Sequence, residues 1–184
     1  MILKTLPQKT IGKPVSLEGV GLHTGAKVKL SFLPAPENTG FVFIRSDLNG
    51  DNQISADVNY VVNTDRGTNI EKNGIKIHTS EHVLAALVGL DLDNCFIEIN
   101  GPEPPIMDGS SKFFIKALEK AGIQKQKSLR EEYSVTEIIN YVDEETGSEI
   151  TLIPSEEYQV TTMVDFGTKV LGTQNASLET ISCF

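Results

Sequence analysis

The sequence predicts an α+β fold, with a first domain that is complete and a second that is only begun. Three patterns point to that class. Residues 27–32, Lys27-Val28-Lys29-Leu30-Ser31-Phe32, alternate polar and apolar side chains with the period of a half-buried strand. Two segments, near 80–89 and 111–121, carry apolar residues suited to helices. Beyond residue 132, strand-like segments recur with no helix after them, and an apolar sheet face needs a second layer.

In chain order, residues 11–25 read as extended and glycine-punctuated, ending Gly19-Val20-Gly21-Leu22-His23-Thr24-Gly25. The stretch lacks the Gly-Lys-Ser/Thr ending of a phosphate loop. The alternating strand follows, with Val28, Leu30 and Phe32 toward a core. A turn at 34–40, a strand at 41–45 and a polar turn at 47–53 come next. Residues 58–68 mix short apolar pieces with Asn63-Thr64-Asp65-Arg66-Gly67-Thr68. There Thr64, Arg66 and Thr68 are candidates for lining a cleft, and a solvated bend fits equally.

A β-like segment at 74–78 leads into Thr79-Ser80-Glu81-His82 and the apolar run 83–89. Thr79 and Ser80 are expected as N-caps, leaving Glu81 and His82 in the first helical turn. The amides and dipole there favour an anion and disfavour imidazolium, so His82 is expected neutral, the form that binds metal. A carboxylate beside a neutral imidazole suits zinc binding and deprotonation of a water. The same pair also fits a surface histidine and a glutamate that merely complements the dipole.

Residues 95–100 read as a strand with a buried face, and 101–110 as a loop stiffened by three prolines. Asp108 to Ser111 are expected to cap a helix at 112–121, whose apolar side is Phe113, Phe114, Ala117, Leu118 and Ala121, stopped by Gly122. Polar residues 124–132 read as the boundary, with domains drawn at 1–127 and 128–184. Residues 133–141, 149–154 and 158–166 then predict a hairpin and a third strand.

Hydrophobic residues at 39% and charged residues at 22% are ordinary for a globular protein of 184 residues, long enough for a real core. The formal charge of −9, with no Lys/Arg stripe interleaved with aromatics, argues against nucleic acid. The N-terminal apolar stretch is too short for a signal peptide and no run approaches a membrane span. Cys95 and Cys183 do not read as a disulfide scaffold, so a cytoplasmic location is expected.

The 19–25 glycine motif, the Pro-Ala-Pro-Glu-Asn-Thr-Gly turn at 34–40, Thr79-Ser80-Glu81-His82, Asp93-Asn94 and Pro105-Ile106-Met107-Asp108-Gly109-Ser110 occur in one order. Together they resemble the zinc-dependent UDP-3-O-acyl-N-acetylglucosamine deacetylases of lipid A biosynthesis. Residues 133–184, with Asp143-Glu144-Glu145-Thr146-Gly147-Ser148 and Gly172-Thr173-Gln174-Asn175-Ala176, resemble more the variant fused to a 3-hydroxyacyl-carrier-protein dehydratase. The resemblance implies two similar domains, each a two-layer sheet/helix sandwich, with the active site between them. It implies Zn²⁺ as cofactor, His82 as a metal ligand, Glu81 as general base, and a UDP-linked acylated N-acetylglucosamine as substrate. His23 and Asp108 are expected as supporting or structural groups. The family's other His and Asp ligands sit in a His-Lys-x-x-x-Asp motif that this sequence, with only His23, His78 and His82, does not contain. The chain is therefore expected to stop within the second domain and to be inactive alone. Two rivals stand beside this: a non-catalytic binding or scaffold domain, and an inverted zinc-protease motif read from His78-x-x-Glu81-His82. The second needs both histidines on one helix.

Overall fold

The computed structural model of the chain describes residues 2–180, with side chains from Leu6 onward. It is a mixed α+β structure. Its strands and helices, in order, are β1 (Ile2–Ile11), β2 (Val15–Val20), β3 (Lys27–Pro34), β4 (Phe41–Arg45), β5 (Gln53–Ser55), β6 (Val61–Asn63), β7 (Asn69–Lys72), β8 (Ile75–Ile77), α1 (Glu81–Gly89), β9 (Cys95–Ile99), α2 (Lys112–Ala121), β10 (Ile123–Tyr133), β11 (Ile139–Val142), β12 (Glu149–Leu152), β13 (Val160–Asp165) and β14 (Thr173–Leu178). They form two compact units: residues 7–129, and residues 130–180 together with 2–6.

The first unit is built on a five-stranded sheet of order β2-β3-β9-β4-β5. β4 and β9 are parallel, and the other neighbours antiparallel. The register sets Val15, Phe32, Ile97, Phe43 and Ile54 side by side across all five strands. Phe32, Phe43 and Ile97 are fully buried in that row. The alternation read at 27–32 holds at Lys27 to Leu30 and Phe32, with Val28, Leu30 and Phe32 buried and Lys27 and Lys29 exposed, while Ser31 is also buried, hydrogen-bonded to Ser16 Oγ at 2.9 Å. Helix α2 buries Phe114, Ala117, Leu118 and Ala121, and the Phe114 ring stands edge-on to Phe32 at 6.3 Å. Phe113 lies off that i, i+3, i+4, i+7 stripe and is 39% exposed, contrary to its expected place on the apolar side. From α1, Val83, Ala86 and Leu87 join the same core, as do Ile70, Ile75 and Ile77 from the antiparallel β6-β7-β8 sheet.

The polar stretch expected as a boundary, 124–132, lies within β10, which pairs with β1, and the division between the two units falls inside it, after Leu129. Polar side chains hold it rather than apolar ones. Gln126 Nε2 donates to the Ala35 carbonyl at 2.9 Å, Asn94 Nδ2 donates to Gln126 Oε1 at 2.8 Å, and Ser128 Oγ donates to Glu37 at 2.6 Å. A strand secured this way shows no apolar period.

The second unit consists of β11 paired with β12 and β13 paired with β14, each antiparallel, and the ends of β1 and β10. The expected strand at 133–141 is divided, with β10 ending at Tyr133 and β11 starting at Ile139. The expected third strand has a partner, β14, so there are two hairpins rather than one and a strand. No described residue from 130 to 180 is buried. Cys183 lies outside the described residues. Among the described residues, no helix is long and apolar enough to cross a membrane.

Candidate active site

The conspicuous polar cluster lies in the first unit, where α1 begins. β8 ends at the buried Ile77, and the His78 amide then donates to the Pro102 carbonyl at 2.7 Å. Thr79 turns the chain with φ of +51°, a conformation that costs a β-branched residue about 1–3 kcal/mol. Helix α1 follows at Glu81, as expected. The capping does not. Ser80 has helical φ and ψ and makes no side-chain cap bond; its hydroxyl donates to the Thr68 carbonyl at 3.0 Å, beside its own amide at 3.1 Å. The Thr79 hydroxyl donates to Glu103 Oε1 at 3.2 Å. Both hydroxyls bind neighbouring loops, so the first-turn amides of α1 are left for other partners.

Glu81 is held from the loop before it. The Thr68 amide donates to Glu81 Oε2 at 2.9 Å. Gly67 makes this approach possible: its φ is +149°, and a Cβ there would stand 3.2 Å from Glu81 Oε1 and 3.3 Å from Thr79 Oγ1. Glu81 Oε1 lies 4.0 Å from His82 Nε2, and the two side chains are 38% and 32% exposed. That distance is too long for a hydrogen bond, but it sets a carboxylate oxygen and an imidazole nitrogen toward a common accessible space. From behind, Ser111 Oγ donates to the His82 carbonyl at 2.8 Å, tying the start of α2 to the first turn of α1.

The three histidines are not equivalent. The His23 ring donates from Nε2 to the Arg66 carbonyl at 3.1 Å, since a carbonyl only accepts. His78 Nδ1 donates to Asn69 Oδ1 at 2.9 Å. The His82 ring has no hydrogen-bond partner among the described residues. His78 lies off α1, so the two histidines of the inverted protease motif do not share a helix, and that alternative falls.

Of the proposed cleft residues, Thr64 and Arg66 are exposed. Thr68 and Arg66 contribute backbone groups, an amide to Glu81 and a carbonyl to His23. A shallow cleft of about 210 Å³ nearby is lined instead by Val62, Asn63, Asp65, Asn69, Ile70, Lys76 and His78. Asp108 is an exposed turn carboxylate, accepting from the Ser110 hydroxyl at 2.8 Å and amide at 3.1 Å, and these bonds keep its pKa below the usual value. Asp108 itself does not cap α2 and Ser111 makes no cap bond, but Ser110 Oγ accepts from the Lys112 amide at 3.3 Å where α2 begins.

Sequence reasoning passed over Glu103. Its side chain is 2% exposed, yet it accepts from the His23 amide at 3.0 and 3.1 Å, the Thr24 amide at 2.8 Å and the Thr79 hydroxyl. Burial pushes its pKa up, but these donors outweigh burial and hold it below the ordinary carboxylate value. Gly21 opens the space, since a Cβ there would stand 2.5 Å from Glu103 Oε2. The only signal in the sequence is an acid amid prolines, residues that cannot donate a backbone hydrogen bond to it.

At the N-terminus of α1, a carboxylate held by one oxygen thus lies beside an imidazole that makes no hydrogen bond among the described residues. A family described as LpxC, UDP-3-O-acyl N-acetylglycosamine deacetylase, matches residues 8–182. The chain belongs to that family. It is similar to a bifunctional enzyme LpxC/FabZ of Chlorobaculum tepidum, 44% identical over 93% of this chain and 37% of that protein. A second bifunctional LpxC/FabZ, from Bacteroides thetaiotaomicron, is 40% identical over 97% of this chain and 39% of its own length. A UDP-3-O-acyl-N-acetylglucosamine deacetylase of Myxococcus xanthus is 37% identical over 94% of this chain and 54% of that protein. The chain thus spans between about a third and just over half of these relatives.

The family resemblance brought zinc into question, and the donor set fits it in part. His82 supplies one uncommitted imidazole next to a carboxylate. Among the described residues, no group of three or more His, Cys, Asp or Glu side chains is arranged to hold a metal. Cys95 offers no alternative, being fully buried, with its thiol pushed up to about 12 by burial.

Proposed function

We propose that this chain carries the general base and one metal-binding imidazole of a zinc-dependent UDP-3-O-acyl-N-acetylglucosamine deacetylase. The complete enzyme would hydrolyse the N-acetyl group of UDP-3-O-(3-hydroxyacyl)-N-acetylglucosamine, the committed step of lipid A biosynthesis, in the cytoplasm. The observation that supports this most is the Glu81 carboxylate, with Oε2 held by the Thr68 amide and Oε1 facing His82.

In this reading Glu81 takes a proton from the attacking water as its oxygen bonds to the acetyl carbon. The Thr68 amide limits rotation of the carboxylate, so the base needs little reorganisation before it acts. His82 presents Nε2 as a ligand, steadied through its backbone by Ser111. When bound, zinc would polarise the acetyl carbonyl and lower the pKa of a coordinated water to about 7. As the C–N bond breaks, the amine leaves with a proton and the acetyl group departs as acetate.

Replacing Glu81 by Ala in the natural-length protein is expected to lower kcat by about 10²–10⁴-fold with zinc content unchanged. His82→Ala should lose metal as well as activity, and His78→Ala should change neither greatly. Loss of zinc in the His78 variant, measured by elemental analysis, would overturn the assignment. Residues 1–184 alone should bind zinc weakly, because one imidazole makes a poor site; tight stoichiometric binding by calorimetry would refute that. The single ligand also suits a second reading, a fold-retaining binding domain without chemistry. Release of amine from the substrate by the natural-length protein separates the two.

A further inference from the structure

We infer that Glu103 is a positioning residue for the Glu81–His82 pair, a buried carboxylate that fixes the bend from which α1 starts. Three segments distant in sequence meet on it: the loop at His23 and Thr24, Thr79 just before α1, and its own proline-rich loop. The same loop grips the bend twice, since the Pro102 carbonyl takes the His78 amide while Glu103 takes the Thr79 hydroxyl.

The bend is where such a grip matters. Thr79 holds a backbone conformation that threonine seldom adopts, with φ of +51°, so it persists only where its surroundings impose it. Glu81 follows two residues later, and its carboxylate must meet the Thr68 amide at 2.9 Å. Rotation at Thr79 would swing the first turn of α1 and break that bond, while the body of the helix stayed packed through Val83, Ala86 and Leu87. Glu103 reaches across to His23 as well, whose ring is bonded to the Arg66 carbonyl next to Gly67 and Thr68. Both sides of the Glu81 carboxylate are thereby referred to one buried group. Glu103 itself touches neither Glu81 nor His82 and acts only through Thr79 and the glycine-flanked loops.

This proposal rests on the deacetylase reading for its kinetic test, so a second, activity-independent measurement accompanies it. In the natural-length protein, Glu103→Gln should lower kcat for amine release from UDP-3-O-acyl-N-acetylglucosamine by about tenfold or more. KM and zinc content should stay within about threefold of wild type. Thr79→Val, which removes only the hydroxyl contact, should lower kcat in the same direction, and Thr79→Ser should recover most of that loss. The double variant Glu103→Gln/Thr79→Val should lose less than the product of the single losses. Hydrogen exchange should show the Thr68 amide opening at least about tenfold more readily in Glu103→Gln and in Thr79→Val.

Unchanged kcat in a folded Glu103→Gln protein, or full activity in Thr79→Val, would overturn the positioning role. Should Glu103→Gln fail to fold, the Thr79 pair of variants decides the matter. If wild type releases no amine but the Thr68 amide still loosens, the deacetylase reading falls and the positioning role stands. If neither is seen, both fall. A merely structural Glu103 would lower melting temperature without the kcat loss that Thr79→Ser restores, and that pattern counts against the proposal.

Discussion

In residues 7–129 the strands bury one set of side chains against two helices, whereas from 130 to 180 the strands pair without burying any described residue. Both regions satisfy backbone groups by antiparallel pairing. Only the first removes a large apolar surface from water, the main favourable term in folding. Tyr141, Ile150 and Met163 in the second region are 65%, 63% and 72% exposed. Pairing supplies direction and register; burial supplies stiffness. Accordingly Glu81, His82, Glu103 and the loops that hold them all lie in the first unit.

Hydrogen exchange offers the sharpest test of that contrast. Amides in the interior strands β3 and β9 should be protected at least about 10³-fold more than those of β11 to β14, because their opening approaches global unfolding. Equal protection in the two regions would erase the distinction. Truncation should follow the same order. Phe114→Ala, which empties the site edge-on to Phe32, is expected to cost about 3–5 kcal/mol in denaturant unfolding, whereas Tyr141→Ala should cost no more than about 0.5.

Within the first unit, Glu103 should carry a smaller, pH-dependent share. Its folded pKa lies below the ordinary carboxylate value, so its stabilisation is present above the unfolded pKa and fades as pH falls through the folded one. Glu103→Gln should therefore lower stability by about 1–3 kcal/mol near pH 7, with the gap from wild type narrowing under acid. Melting curves across pH would show it; a constant gap would mean that the charge contributes nothing.

The helices were legible because each declares itself locally. In α2 the buried apolar residues recur at helical spacing, whereas α1 was marked by an unbroken apolar run following Thr79-Ser80-Glu81-His82. β3 was equally plain from its alternation. β10 was hidden because its partners are far along the chain and its holding contacts are amide and hydroxyl hydrogen bonds to Ala35, Glu37 and Asn94. β1 was missed for the related reason that its pairing partner lies at the other end of the first unit. At the site, the Glu81–His82 pair was visible as adjacent residues of telling chemistry. Its supports were not, since Thr68 acts through a backbone amide and Glu103 binds amides about 80 residues away. The expected caps erred because Thr79 and Ser80 had competing acceptors that only tertiary structure brings near.

The paired hairpins have one more consequence, for how copies of the molecule behave toward each other. A sheet of two strands has no interior strand, so among the described residues β11 to β14 each leave one row of hydrogen-bonding groups unpaired, flanked by large hydrocarbon side chains. At pH 7 a formal charge of −9 keeps neighbouring copies apart. Acidification neutralises carboxylates and weakens that repulsion, so light scattering is expected to rise as pH falls toward the pI.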